Sequence, residues 1–189
     1  GWAVGDYGKI IVTRDGGRSW REQSSYASEP LRDVQFRDRR TGWAVGNKGT
    51  ILKTSDGGRT WSRRRAPTTE DLAAICMFSR RTGCVVGHGG TALRTSDGGR
   101  TWTRRNAMVK TWLSAVTSAS PRRLVAAGGG GNLLRSTDGG RTWRRRTRGT
   151  TRDITAVTVD GRSAWAVNGG GQVLKLDRGV WRVQARGLG

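Results

Sequence analysis

The 189-residue sequence is poor in the residues that usually do chemistry: one histidine, two cysteines, two tyrosines, three prolines and fourteen acidic residues. Each shortage excludes something. His88 stands in the glycine-rich run Gly87 to Gly90 with no serine or cysteine nucleophile motif beside it, and reads as a solvated turn residue. Cys76 and Cys84 are too few for a disulfide framework and lack C-x-x-C spacing, so they read as small buried apolar residues. No stretch approaches the roughly 18 consecutive apolar residues of a membrane helix, and no apolar leader opens the sequence. The run Gly128 to Gly131 is followed by no G-K-[S/T] and is not a phosphate loop.

What is abundant points elsewhere. Thirty-five basic residues, thirty of them arginine, give a net charge of +21, which favours nucleic acid, anionic lipid or an acidic protein surface as partner. Nine tryptophans and thirty glycines suit short strands and tight turns. The length fits one domain.

The dominant feature is internal repetition. Trp20, Trp61, Trp102 and Trp143 recur every 41 residues, and Trp181 follows after 38. The first four close a nearly constant phrase, T-S-D-G-G-R-T-W at Thr54 to Trp61 and its equivalents, while Trp2, Trp43, Cys84 and Val125 lie thirteen residues before each Asp. One unit predicts four strands: A, Leu31 to Phe36; B, Gly42 to Val45; C, Thr50 to Lys53; D, Thr60 to Arg64. Four-stranded units at a period of about 40 residues predict an all-β propeller of antiparallel blades whose core lies between blades. The blades fall at about 1–28, 29–66, 67–108, 109–149 and 150–189, the first without strand A, for nineteen strands in all. Five repeats form either a small ring or a segment of a larger one, and an open blade edge invites oligomerisation unless Val183 to Leu188 pairs there.

The phrase has a physical reading of its own. Asp56 precedes two glycines, so its carboxylate can accept turn N–H groups while Gly57 and Gly58 take positive φ; Trp61 then buries its ring beside the hairpin. Asp15, Asp97 and Asp138, with Trp20, Trp102 and Trp143, repeat the arrangement. Each Asp stands in its turn without further oxygen ligands nearby, so the role is structural, and no metal or other cofactor is expected.

On these residues the chain resembles the Asp-box, or BNR, repeat propellers. G-W-A-V-G-x-x-G-x-I-L-K-T-S-D-G-G-R-T-W at Gly42 to Trp61 is most similar to the photosystem II assembly and stability factors. The resemblance implies a non-enzymatic scaffold that holds a polypeptide, and a periplasmic, thylakoid-lumenal or secreted location. Sialidases share the Asp box but need a Tyr nucleophile assisted by a Glu and a separate acid, whereas this sequence offers only Tyr7 and Tyr26 with Glu22, Glu29 and Glu70. No catalytic residue is assigned.

The arginines are unevenly placed. In an up-and-down blade the A to B and C to D turns share one face of the ring. The A to B turns carry Arg37, Arg39, Arg40, Arg80, Arg81, Arg122, Arg123 and Arg162, and the C to D turns carry Arg18, Arg59, Arg100 and Arg141. The opposite turns are mainly glycine, with Asp6, Lys48 and His88. The A to B arginines are therefore predicted to bind a protein partner or an acidic polypeptide segment through bidentate contacts. For the box arginines, packing over tryptophan rings is an equal alternative. Nonspecific nucleic-acid or polyanion binding is the second reading of the charge.

Overall fold

The computed structural model describes residues 1–146, 150–160, 163–177 and 180–185. Nineteen strands among these residues form five antiparallel sheets. Blade 1 contains β1 (Trp2–Val4), β2 (Ile10–Val12) and β3 (Arg21–Gln23). Blade 2 contains β4 (Leu31–Phe36), β5 (Gly42–Gly46), β6 (Thr50–Thr54) and β7 (Ser62–Arg64). Blade 3 contains β8 (Leu72–Met77), β9 (Gly83–Gly87), β10 (Thr91–Thr95) and β11 (Thr103–Asn106). Blade 4 contains β12 (Leu113–Ser120), β13 (Arg123–Gly128), β14 (Asn132–Ser136) and β15 (Arg144–Arg145). Blade 5 contains β16 (Ile154–Asp160), β17 (Ser163–Asn168), β18 (Val173–Asp177) and β19 (Val180–Ala185). Each sheet runs in chain order, the first lacks its A strand, and the A strands β4, β8, β12 and β16 neighbour one another.

The sheets stack face to face, which explains the strand sequences. A strand covered by neighbouring sheets on both faces reads as a continuous run of apolar and small residues instead of an alternation, and all five residues of β5 and of β9 are buried. The core is accordingly four layers between blades. Ile10, Leu31 and Trp61 fill the first, Trp43, Leu93 and Trp102 the second, Cys84, Leu134 and Trp143 the third, and Val125, Leu174 and Trp181 the fourth.

Two local rules recur. The glycine ending the B strand of blades 2, 3 and 4 has no room for a side chain: a Cβ on Gly46, Gly87 or Gly128 would lie 2.1 Å from the carbonyl oxygen of Pro30, Asp71 or Trp112. Every A to B pairing also shifts register after its first residue, at Leu31/Asp33, Leu72/Ala74, Leu113/Ala115 and Ile154/Ala156.

Three expectations need correction. Strand D of blade 2 starts at Ser62, because Thr60 still belongs to the turn, its N–H donating to Asp56 Oδ1 at 3.0 Å. Trp20 is 45% exposed although its equivalents Trp61, Trp102, Trp143 and Trp181 are buried. Each buried ring packs on the blade before its own, and among the described residues no blade precedes the first. Val183 pairs with Leu174 in its own sheet, and none of the described residues 183–185 pairs with blade 1; residues 186–188 lie outside the described residues.

Candidate partner-binding face

The Asp box is built from hydrogen bonds that span four residues or fewer. In blade 2, Asp56 Oδ1 accepts the Thr54 hydroxyl at 2.8 Å and the Thr60 N–H at 3.0 Å, while Oδ2 accepts the Thr60 hydroxyl at 2.6 Å. Thr54 Oγ1 in turn accepts the Gly58 N–H at 2.9 Å. Gly57 and Gly58 stand at φ 79° and 84°, left-handed values that a glycine adopts at no steric cost. Blades 1, 3 and 4 repeat the pattern on Asp15, Asp97 and Asp138.

These bonds set the carboxyl groups' acidity. The Thr60 hydroxyl and N–H bring Asp56 down to about 2. Burial raises Asp97 and Asp138, but the hydroxyl and N–H donors of Thr101 and Thr142 outweigh it and hold both at about 2. The Ser19 hydroxyl and N–H likewise lower Asp15.

The box also anchors the A to B turn of its own blade. The first box glycine donates its N–H to the carbonyl of a turn arginine: Gly57 to Arg40 and Gly98 to Arg81 at 2.8 Å, Gly139 to Arg122 at 3.0 Å. A short polar cap shapes the turn from the other side. Asp38 Oδ1 accepts the N–H groups of Arg40 and Thr41 at 2.8 Å each, and Ser79 Oγ does so for Arg81 and Thr82 in blade 3. The Arg40 and Thr41 N–H groups lower the Asp38 carboxyl.

The A to B and C to D turns therefore meet on one side of the sheets. Arg37, Arg39, Arg40, Arg80, Arg81, Arg122 and Arg123 are exposed there, as are Arg18, Arg59, Arg100 and Arg141. Arg123 is the first residue of β13 and not a turn residue, because it takes the position that Thr41 and Thr82 hold before the B strands of blades 2 and 3. Arg162 lies outside the described residues. Between blades 1 and 2 this side opens into a groove of about 710 Å³ whose lining includes Trp2, Arg14, Arg39, Arg40 and Arg59.

Among the described residues the ion pairs are Lys9 with Glu22, Arg32 with Asp6 and Lys48 with Glu29, and none involves these arginines. Nor do the box arginines cover tryptophan rings. The ring-facing cations among the described residues are lysines, Lys53 over Trp43 at 5.6 Å and Lys175 over Trp165 at 4.8 Å. The opposite side is differently charged. Its turns carry Asp6, Lys48 and the exposed His88, and Asp71 and Asp153 lie beside them, accepting the N–H groups of Lys48 and Gly130 from the preceding blade at 2.9 and 2.7 Å.

Several positioning residues escape a reading of the repeat alone. Lys53 Nζ donates to the Gly98 carbonyl of the next blade at 2.7 Å, and Arg94 Nε, one repeat later, to that of Gly139 at 2.8 Å. In blade 1 the equivalent position is Val12, and Gln23 Nε2 reaches the Gly57 carbonyl instead at 3.2 Å. Asp33 Oδ2 and Gln35 Oε1 accept the N–H groups of Ile75 and Met77 on the neighbouring A strand at 2.8 and 2.5 Å. The recurrence of a basic residue just before the box Thr or Ser was the available signal for the first pair. Cys76 and Cys84 are free and stand opposite each other on β8 and β9. Among the described residues no group of three or more His, Cys, Asp or Glu could hold a metal ion, and no helix is long and apolar enough to cross a membrane.

The repeated box, the stacked four-stranded sheets and the buried box tryptophans define an Asp-box repeat β-propeller. Residues 134–145 match the BNR/Asp-box repeat, and residues 26–111 match the family described as Photosynthesis system II assembly factor YCF48. The chain resembles that assembly-factor family. Among solved structures it is similar to YCF48 bound to D1 peptide (TM-score 0.68, 21% identity, covering 84% of this chain and 54% of that one). It is also similar to YCF48 from Cyanidioschyzon merolae (TM-score 0.74, 20% identity, 97% and 66%) and to the GH74 enzyme of Niastella koreensis (TM-score 0.77, 17% identity, 96% and 35%). The chain thus spans 54% and 66% of the two YCF48 chains, and these likenesses show the fold. Among curated proteins none matches.

Proposed function

We propose that this propeller is a non-enzymatic scaffold that holds an acidic segment of a protein partner on its arginine-bearing face. The observation that carries the reading is the set of exposed A to B and C to D turn arginines, their turns pinned beside one another by the box glycines and, among the described residues, without ion-pair partners. Arginine suits the task because its planar fork meets a carboxylate with two parallel hydrogen bonds. The similarity to a YCF48 structure holding a D1 peptide supports a polypeptide as the partner.

The carboxyl groups fit a scaffold better than a glycosidase, despite the GH74 likeness. A glycosidase needs one carboxylic acid of raised pKa and one free carboxylate flanking the substrate. The box carboxylates accept bonds from their own turns and are held low. Asp33 is raised by burial, yet its oxygens accept the N–H groups of Ile75 and Val34.

The test is fluorescence anisotropy with a labelled oligoglutamate peptide at moderate salt. Arg80→Glu with Arg81→Glu should weaken capture at least about tenfold, and Lys48→Glu on the opposite side should change it little. Equal weakening by both reduces the interaction to diffuse electrostatics. Sequence-preferring capture of duplex DNA at physiological salt would replace this reading with a nucleic-acid one.

A further inference from the structure

Between blades 2 and 3, and again one repeat later between blades 3 and 4, the fold gathers three cations beside one box carboxylate, Asp97 or Asp138, that forms no ion pair with any of them. In blade 2 Ile51 stands opposite Arg64 and Lys53 opposite Ser62, so Lys53 and Arg64 are diagonal neighbours on one face of the hairpin. In blade 3 Ala92 stands opposite Arg105 and Arg94 opposite Thr103, which makes Arg94 and Arg105 the same diagonal pair. Both pairs turn toward the next blade, where Lys53 Nζ meets the Gly98 carbonyl and Arg94 Nε that of Gly139. The adjoining box, whose carbonyl these groups meet, brings a third cation near enough to act on them, Arg100 in one case and Arg141 in the other, the latter donating from Nη1 to the Asp138 carbonyl at 3.0 Å.

The charges act on one another. Burial lowers the Lys53 ammonium and the Arg64 and Arg100 guanidinium groups lower it further, with Asp97 opposing them; burial and then Arg141 and Arg105 lower Arg94, with Cys84 and Asp138 opposing, and in both cases the net direction is down. No ion pair among the described residues relieves either cluster. The nearby box carboxylates are engaged: Asp97 accepts the Thr95 hydroxyl and the N–H groups of Arg100 and Thr101. Arg64 Nε and Arg105 Nε are both buried donors without an acceptor. A buried donor left unpaired costs free energy, more so when charged, and three cations present more donor capacity than the carbonyl oxygens they meet can accept: that of Gly98 for Lys53, and those of Gly139 and Asp138 for Arg94 and Arg141.

We propose that each cluster, Lys53–Arg64–Arg100 and Arg94–Arg105–Arg141, is a binding site for a small multivalent oxyanion of the phosphate or sulfate type that bridges adjacent blades. A tetrahedral oxyanion offers several acceptor oxygens to guanidinium and ammonium groups converging from two sheets. The sites run along the inter-blade flank, border the partner face at Arg100 and Arg141, and include none of its A to B turn arginines. Blade 1 shows what the unliganded alternative looks like. There the pair is Val12 and Gln23, and neutral Gln23 satisfies the Gly57 carbonyl itself.

The experiment titrates the chain with sodium phosphate in phosphate-free buffer, calorimetrically and by thermal melting, against sodium chloride at matched ionic strength. The expected result is saturable binding of two equivalents, with a rise in Tm that chloride does not reproduce. Arg64→Gln with Arg105→Gln installs the residue of blade 1 at both positions; it should fold, melt no lower than the parent without phosphate, and lose phosphate affinity at least tenfold. Should the double variant fail to fold, Arg64→Gln alone must lower the stoichiometry from two to one. Arg80→Glu with Arg81→Glu must leave phosphate binding unchanged. Absence of saturable binding, an unaltered phosphate response in the Gln variants, or loss of binding in the Arg80/Arg81 variant would each overturn the assignment.

Discussion

Lys53 of one blade and Gly98 of the next are joined by a 2.7 Å hydrogen bond from ammonium to carbonyl, and Trp43 Nε1 donates to the same oxygen at 3.2 Å. The oxygen belongs to the Asp box that anchors the A to B turn of blade 3, so one contact ties the packing between blades to the geometry of the arginine face. Lys53→Met should therefore cost about 1–2 kcal/mol, less than a fully orphaned carbonyl because Trp43 still donates. A urea midpoint equal to the parent's would show that the bond contributes nothing.

Trp102→Ala empties part of the layer between blades 2 and 3 and should destabilise by about 3–5 kcal/mol. Trp20→Ala, at a ring already 45% exposed, should cost no more than about 1 kcal/mol. Similar losses in the two variants would contradict the packing of each box ring on the blade before it.

Asp56→Ala removes the acceptor for Thr60 N–H and for two hydroxyl groups, an expected loss of about 1–3 kcal/mol. Asp56→Asn keeps one acceptor oxygen and should lose less. Denaturant midpoints ranking Asn below Ala would contradict the hydrogen-bond account.

The boxes also predict the acid limb of stability. Asp56, Asp97 and Asp138 sit at about 2 in the folded chain, against about 4 for an unfolded carboxyl. A depressed folded value contributes stability that is fully present above the unfolded value and lost as pH falls through the folded one. Denaturant midpoints should therefore stay level in their box contribution down to about pH 4 and fall toward about pH 2, with a shallower fall in Asp56→Asn. An identical acid limb in parent and variant would assign the loss to other groups.

Burial pushes the Cys76 thiol up to about 11 and the Cys84 thiol to about 12. Both should resist thiol reagents at neutral pH while the chain is folded and react fully once it is unfolded. Rapid native labelling of Cys84 would show that the layer between blades 3 and 4 opens readily.

The Asp box was legible in the sequence because its chemistry is local. Asp56, Gly57, Gly58 and Thr60 complete one another's bonds within a few positions, so the turn, its structural role and the pairing of strands C and D follow from residue order. The 41-residue period then determined four-stranded units, and their number and order determined an all-β propeller. The side chains that join one blade to the next box lie 34 to 55 positions from it, as Gln23 to Gly57, Lys53 to Gly98 and Trp43 to Gly98 do. Side-chain direction across two stacked sheets depends on twist, register and the bulge at each A to B pairing, none of which a repeat pattern encodes. Only the tertiary structure could therefore show that Trp20 differs from its equivalents, that Arg123 begins a strand, and that Lys53 and Arg94 serve the next blade's box.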